Sequence, residues 1–381
     1  MNIPIFRLEF EDEFTDKFKK GSEDIFKSGR PIGENKYVKE FEEKFAKLVG
    51  AKCSVAVTSG TAALELSLKV IGVKNKKVII PCNTFFATSI AVTNAGGEIE
   101  LVDIEDENFS MDPKELEKSI KENKKNVGAV VVVHVGGIIS KNIKEIKKIC
   151  KKYKIPLIED AAQAHCSKFE NQRAGTIGEM GCFSFFPTKV MTTGEGGMIT
   201  TNNKKYYEKI KSLKNFGRDN NNIDLCINHE GNNYKISEFT GLLGLLECDR
   251  VKKRIKIRNK YTDLYVNRLK GSSYIPVLQT KGMSSQYKMI LKTKINREWL
   301  RNYCKENNIV LTGEVWKIPI HKQPIYKNMF KKKKFPVTDS VSNNHICPPL
   351  YPELSAGEVN YICDVLLRAE KDYEKQNRKI S

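Results

Sequence analysis

Between about residues 36 and 250, short apolar runs alternate with stretches whose apolar residues recur at helical spacing, and few folds accept that alternation. YVKEFEEKFAKLV reads as a helix, with Val38, Phe41, Phe45 and Val49 on one face. SVAVTSG then reads as a strand running into Gly60, and TAALELSLKVI resumes the helical period. VIIPCNT, EIELVDI, VGAVVVVHV and IPLIEDA are four further apolar runs, with PKELEKSIKEN and NIKEIKKICKKY as helical stretches among them. Apolar strands spaced by helices predict an α/β fold, a mainly parallel sheet covered by helices on both faces. GCFSFF and GGMITTN follow with no comparable helix between them, so the connection style changes late in the sheet. Around residue 250 the pattern shifts. RVKKRIKIRNKYTDLYVNRL predicts a long helix into a second unit holding strand SQYKMILKTKI and helix NREWLRNYCKEN. The chain therefore divides into a large domain, residues 1–250, and a small C-terminal domain, 251–381, with the junction anywhere within 240–265.

Charge narrows the partners. The chain carries 65 Lys and Arg against 46 Asp and Glu, a formal excess of +19, which favours anions of some kind. The lysines are mostly scattered over amphipathic segments, and only Lys331–Lys334 forms a block, read as an exposed loop because Pro336 soon follows. No zinc-finger, RNP or helix-turn-helix pattern supports a nucleic-acid partner. No stretch has the roughly 20 apolar residues of a membrane helix and no signal peptide is visible, so a soluble cytoplasmic protein is expected. The ten cysteines form no CxxC pair and sit mostly in apolar company, as reduced core thiols do.

Three short stretches can carry chemistry. In GCFSFFPTKVMTTGEGGMITTN, Lys189 stands between apolar segments and just ahead of Gly194, Gly196 and Gly197. Glycines allow backbone to pass close to a ligand, and a crowded lysine can present a neutral amine for a Schiff base. The plainer reading is a surface lysine before a hairpin turn. Asp160 ends the apolar run IPLIED, at the carboxyl end of a strand, where open α/β sheets bind ligands. A carboxylate there can hold a pyridinium nitrogen protonated, with Gln163 in the same turn free to bond ring substituents; a helix N-cap is the alternative. Third, Thr58-Ser59-Gly60-Thr61 leads straight from strand to helix, so free backbone N–H groups make a phosphate seat without a Walker sequence.

TSGTAAL, PCNTFFAT, IEDAAQAH, SFFPTKVMTTGEGGMITTN and GNNYKISEFTGLLGL occur in that order, and together they resemble the DegT-type (DegT/DnrJ/StrS) family of pyridoxal-phosphate sugar aminotransferases. The resemblance spans about residues 31–353, and IEDAAQAH and PTKVMTTGEGG are its most specific parts. It implies the aspartate aminotransferase-like (type I) fold, with residues 1–250 as the domain that binds pyridoxal 5'-phosphate. Lys189 matches the family's Schiff-base lysine, Asp160 the partner of the ring nitrogen, and Gln163 the residue beside the ring hydroxyl. Gly60, Thr61 and Ser184 match phosphate contacts, and Phe85 an aromatic stacked on the ring. Asn233 matches an asparagine that reaches the cofactor of the partner subunit, which implies a homodimer with shared active sites. In EVWKIPIHKQPIY, His321 and Trp316 are candidates for substrate binding, although Lys322 replaces the family's usual apolar residue and a structural role for His321 fits equally. VHVGGII, with His134, departs from the His-x-Tyr-Gly stretch common in the family.

The activity so implied moves an amino group, with glutamate the usual donor, to a keto-sugar linked to a nucleotide. Lys189 would carry the cofactor and shuttle the proton, and no metal is required. A family branch of sugar dehydratases has histidine in place of the lysine, and Lys189 disfavours it. Two alternatives stay open: transamination of a small phosphorylated ketone, and a catalytically inactive basic protein binding polyanions on the same fold.

Overall fold

The structure, a computed structural model, describes residues 2–30, 32–218 and 226–378. Two helices come first, α1 (Asp12–Lys27) and α2 (Lys36–Val49). Strands and helices then alternate as β1 (Cys53–Val57), α3 (Gly60–Ile71), β2 (Lys77–Pro81), α4 (Phe86–Asn94), β3 (Glu98–Val102), α5 (Pro113–Asn123), β4 (Val127–Val133), α6 (Ile143–Tyr153) and β5 (Leu157–Asp160). A small hairpin, β6 (Lys168–Phe169) and β7 (Gln172–Arg173), precedes β8 (Met180–Ser184), β9 (Gly197–Thr201) and α7 (Lys204–Lys214). The remainder is α8 (Glu238–Arg268), β10 (Ile275–Val277), β11 (Ile290–Lys292), α9 (Arg297–Glu306), α10 (Pro336–Asn343), β12 (His345–Ile346) and α11 (Ala356–Arg378).

Seven strands form one sheet in the order β1-β9-β8-β5-β4-β2-β3. Only β9 runs against the rest: it pairs antiparallel with β1 and β8, and the other neighbours are parallel. The late change of connection has a simple cause. Parallel strands need a long crossover, whereas β8 and β9 join through the twelve residues that hold Lys189. Both faces are buried. Val38, Phe41 and Phe45 of α2 pack on one face with α6 and the middle of α8, and α3, α4 and α7 cover the other. Phe41 and Phe45 have no exposed surface, and each such side chain contributes about 1.5–3 kcal/mol by leaving water.

The small part is a three-stranded antiparallel sheet, β10-β11-β12, packed with α9, α11 and the last turns of α8. A mainly parallel seven-strand sheet with a smaller α+β part is the arrangement that the resemblance implies. Residues 250 and 251 lie inside α8, which is continuous over 31 residues. Its first half packs on α2 and its second half on α11. The N-terminal segment also reaches the small part: Ile3 is fully buried there and exchanges backbone hydrogen bonds with Asn308 and Val310. Seven of the ten cysteines are buried, and burial pushes thiols such as Cys150 and Cys304 up to about 12, as expected of core thiols. Lys331–Lys334 is an exposed loop before α10. Among the described residues no helix is long and apolar enough to cross a membrane.

Candidate active site

Six strands point the same way, so the turns after them gather along one edge of the sheet. These turns carry Ser59–Thr61, Thr84–Phe85, His134, Asp160–Gln163 and Ser184–Lys189. Beside them lies a cavity of about 570 Å³. Lys189, Asp160, Gly60, Thr61, Phe85, Gln163, Ser184 and Trp316 all line it, joined by Tyr287, Lys288 and Arg258. A groove of about 690 Å³ between α8 and the β6–β7 hairpin is larger, but Lys252, Lys256, Lys260 and Asp263 along it are exposed on α8, and the Asn259 amide there is engaged by the Ile255 and Ser284 carbonyls.

Each side chain is placed by its local structure. Ser59 is the N-cap of α3, its Oγ accepting the Ala62 N–H at 3.0 Å. Helix geometry leaves the N–H groups of Gly60 and Thr61 without intrahelical acceptors, and the helix dipole adds positive potential there. A Cβ on Gly60 would stand 2.7 Å from Ser184 Cβ, so only glycine lets α3 start this close to the end of β8. One on Gly197 would lie 2.2 Å from the Ser59 carbonyl oxygen. Gly197 is therefore needed for the chain to pass the Ser59–Gly60 turn, a reason different from the ligand approach expected of it, and a Cβ on Gly196 would instead meet Thr193 Oγ1 at 2.4 Å.

Asp160, the last residue of β5, is 6% exposed. Burial raises its carboxyl above the usual range, and hydrogen bonds from Thr88 and the Ala162 N–H, with the charge of Lys189, act against that shift. Thr88 Oγ1 donates to Oδ2 at 2.8 Å, and the Ala162 N–H to Oδ1 at 3.2 Å. Gln163 accepts the Gly136 N–H at 2.7 Å through Oε1, which leaves its amide N–H groups as donors. The Lys189 Nζ lies 4.8 Å from the centre of the Tyr287 ring, whose hydroxyl meets Thr188 Oγ1 at 3.1 Å. Burial alone would raise the Tyr287 phenol, but the charges of Lys189 and Lys288 carry it below its ordinary value.

The residues fit pyridoxal 5'-phosphate. An anion seat at Ser59–Thr61 and Ser184, an amine, a buried carboxylate, an amide donor and the half-exposed Phe85 ring are the groups its phosphate, aldehyde, ring nitrogen, hydroxyl and aromatic face require. A sequence model described as the DegT/DnrJ/EryC1/StrS aminotransferase family matches residues 13–367. The chain belongs to that family. It is a pyridoxal-phosphate-dependent aminotransferase. The chain is 29% identical over 344 residues, 87% of its length and 89% of the relative's, to the UDP-4-amino-4,6-dideoxy-N-acetyl-beta-L-altrosamine transaminase of Campylobacter jejuni. It is 28% identical over 373 residues, 95% and 97% of the two chains, to GDP-perosamine synthase of Escherichia coli O157:H7. Among solved structures, the putative sugar aminotransferase Spr1654 of Streptococcus pneumoniae in its PMP form overlays with a TM-score of 0.90 at 24% identity, covering 99% and 100% of the chains.

Two of the residues expected at the site lie outside the lining of this cavity. Asn233 is exposed and pairs through its backbone with Asn215. His321 shares a 2.8 Å hydrogen bond between Nδ1 and Cys82 Sγ, and its Nε2 lies 3.1 Å from Asp339. Together with the Ile320 N–H to Cys82 carbonyl bond, that contact docks the segment after Trp316 onto the β2–α4 turn. His134 is fully buried and bonded through Nε2 to Glu159 at 2.9 Å, away from the cavity lining. Sequence reasoning missed Tyr287, Lys288 and Arg258, the last fully buried with Nη1 donating to the Leu350 carbonyl at 2.7 Å. The available signal was the Tyr287-Lys288 pair just ahead of the apolar Met289–Leu291 of the run SQYKMILKTKI.

Proposed function

We propose that the chain aminates a nucleotide-linked keto-deoxysugar, with glutamate as donor, in the synthesis of a surface glycan. The observation that carries the reading is the meeting of Lys189, Asp160 and the Ser59–Thr61 phosphate seat on one cavity. When bound, the cofactor supplies an electron sink and a carrier for the amino group. Lys189 Nζ would hold it covalently and, as a free amine, would move the proton of the reacting carbon. Asp160 keeps a proton on the ring nitrogen. Gln163 orients the ring through its amide N–H groups, and Ser59–Thr61 with Ser184 anchor the phosphate. The named relatives act on UDP- and GDP-linked sugars, which supports the substrate class. Lys288 at the cavity adds a cation suited to a diphosphate.

A homodimer goes with this reading. Phe85, Phe86 and Phe186 are 43%, 48% and 44% exposed, Phe85 and Phe186 at the cavity itself, so an apolar wall stands open. Asn233 is exposed and available to a second subunit. The test is an assay of keto-acid formation from glutamate against a panel of nucleotide-linked keto-sugars and small phosphorylated ketones. At least one nucleotide-sugar turns over, and Lys189→Ala removes both turnover and the visible absorption of the cofactor-loaded protein. Turnover of phosphorylated ketones alone would overturn the substrate class.

A further inference from the structure

Behind Asp160 lies a chain of buried hydroxyls. Thr84 and Thr88 are each 1% exposed, their Oγ1 atoms are 2.7 Å apart, and Thr88 Oγ1 reaches Asp160 Oδ2 at 2.8 Å. The direction of every bond follows from chemistry. An ionised carboxylate only accepts, so Thr88 donates to Asp160; a hydroxyl has one hydrogen, so Thr84 must donate to Thr88. Thr88 belongs to the first turn of α4, where the helix dipole also favours a negative neighbour. The other charged or titratable groups acting on Asp160 are Lys189 in the β8–β9 loop and His134 after β4, with the Cys182 thiol of β8 beside it. Oδ1 has only the longer Ala162 contact, so it keeps the greater capacity to accept from a ligand in the cavity.

We propose that Thr88 is a positioning residue that holds Asp160 ionised, with Oδ1 left to the ring nitrogen of the cofactor, and that Thr84 fixes the direction of the Thr88 hydroxyl. This rests on the reading of the cavity as the pyridoxal-phosphate site. Without the Thr88 donor, the Asp160 carboxylate becomes the stronger base and draws the ring proton to itself. The ring then loses its positive charge and repels a proton on the lysine-linked nitrogen less.

The experiment is a pH titration of the visible absorption of cofactor-loaded protein, with turnover measured alongside. Thr88→Val removes the donor at nearly constant shape, and the titration midpoint moves up by about one unit with turnover down about tenfold. Thr88→Ser restores both, and Thr84→Val, which leaves the Thr88 to Asp160 bond possible, moves the midpoint by less than half as much. Thr88→Ala gives the same readout as Thr88→Val should valine crowd the site. A Thr88→Val or Thr88→Ala protein that titrates like wild type overturns the proposal, and so does a Thr88→Ser protein that titrates like Thr88→Val. Failure of the wild-type protein to take up the cofactor at all refutes the site reading instead, so the two failures are told apart.

Discussion

Glu159, the neighbour of Asp160 in β5, points to the opposite face of the sheet and is fully buried. Its Oε1 accepts the N–H groups of Ile177 at 2.7 Å and Gly178 at 2.9 Å, and its Oε2 accepts the Gly175 N–H at 2.8 Å and meets His134 Nε2 at 2.9 Å. Glu159→Gln keeps the shape and replaces one accepting oxygen with an NH2 group. With the amide oxygen left toward Ile177 and Gly178, the Gly175 N–H faces a donor and stays unpaired, at about 1–3 kcal/mol. The surviving bonds lose their charge assistance, which roughly halves their strength. His134 can present its ring nitrogen as an acceptor, so that contact survives. The sum is a loss of about 3 kcal/mol, which at a slope of about 3 kcal/mol per molar urea lowers the unfolding midpoint by about 1 M. Because β5 also carries Asp160, cofactor affinity falls with it. The measurement is urea unfolding of the cofactor-loaded protein, followed by fluorescence. A midpoint within about 0.2 M of wild type would show that the carboxylate is not what ties the 175–178 turn to β5.

Gly60→Ala places a methyl group 2.7 Å from Ser184 Cβ, which is not the end of a flexible chain, so either α3 or β8 must shift. Cofactor affinity measured by spectroscopic titration drops about tenfold or more, whereas unchanged affinity would remove the close approach from the phosphate seat. Acid should weaken the fold through two buried histidines, because burial pushes His165 down to about 3 and His345 down to about 4. Both rings stay neutral in the fold while the unfolded chain takes up protons below about pH 6.5, so their contribution is present above that pH and lost on acidification, at about 1.4 kcal/mol per unit for each. His165→Phe, in a site already walled by Phe45, Phe183 and Phe185, reduces the pH slope of the urea midpoint between 6.5 and 4.5; an unchanged slope refutes the assignment.

What could be read from the sequence is what one strand and its following turn determine between them. Lys189, Asp160 and Ser59–Thr61 each sit within a few residues of a strand end, and a parallel sheet brings its strand ends to one edge whatever the rest of the chain does. The sheet itself was legible for the same reason, since apolar runs and helical periods are local. Tyr287, Trp316 and Arg258 come from segments 98 to 156 residues beyond Asp160, and no local pattern says which cavity they face. Arg258 is the plainest case: it stands in a lysine-rich helix that reads as solvated, yet it is fully buried because three carbonyls, of Gln286, Tyr287 and Leu350, converge on its Nη1. His321 shows the converse. Its neighbours in sequence point to a ligand, but Cys82, from a turn 239 residues earlier, takes its ring nitrogen and makes it a clamp. The charge excess resolves in the same terms. Many helix lysines are spent on carboxylates one turn away, such as Lys17 on Glu13, Lys69 on Glu65 and Lys121 on Glu117, while Lys189 and Lys288 are the lysines that line the site. A net charge summed over the chain cannot separate those two populations, because the distinction lies in which cation the fold leaves facing a cavity.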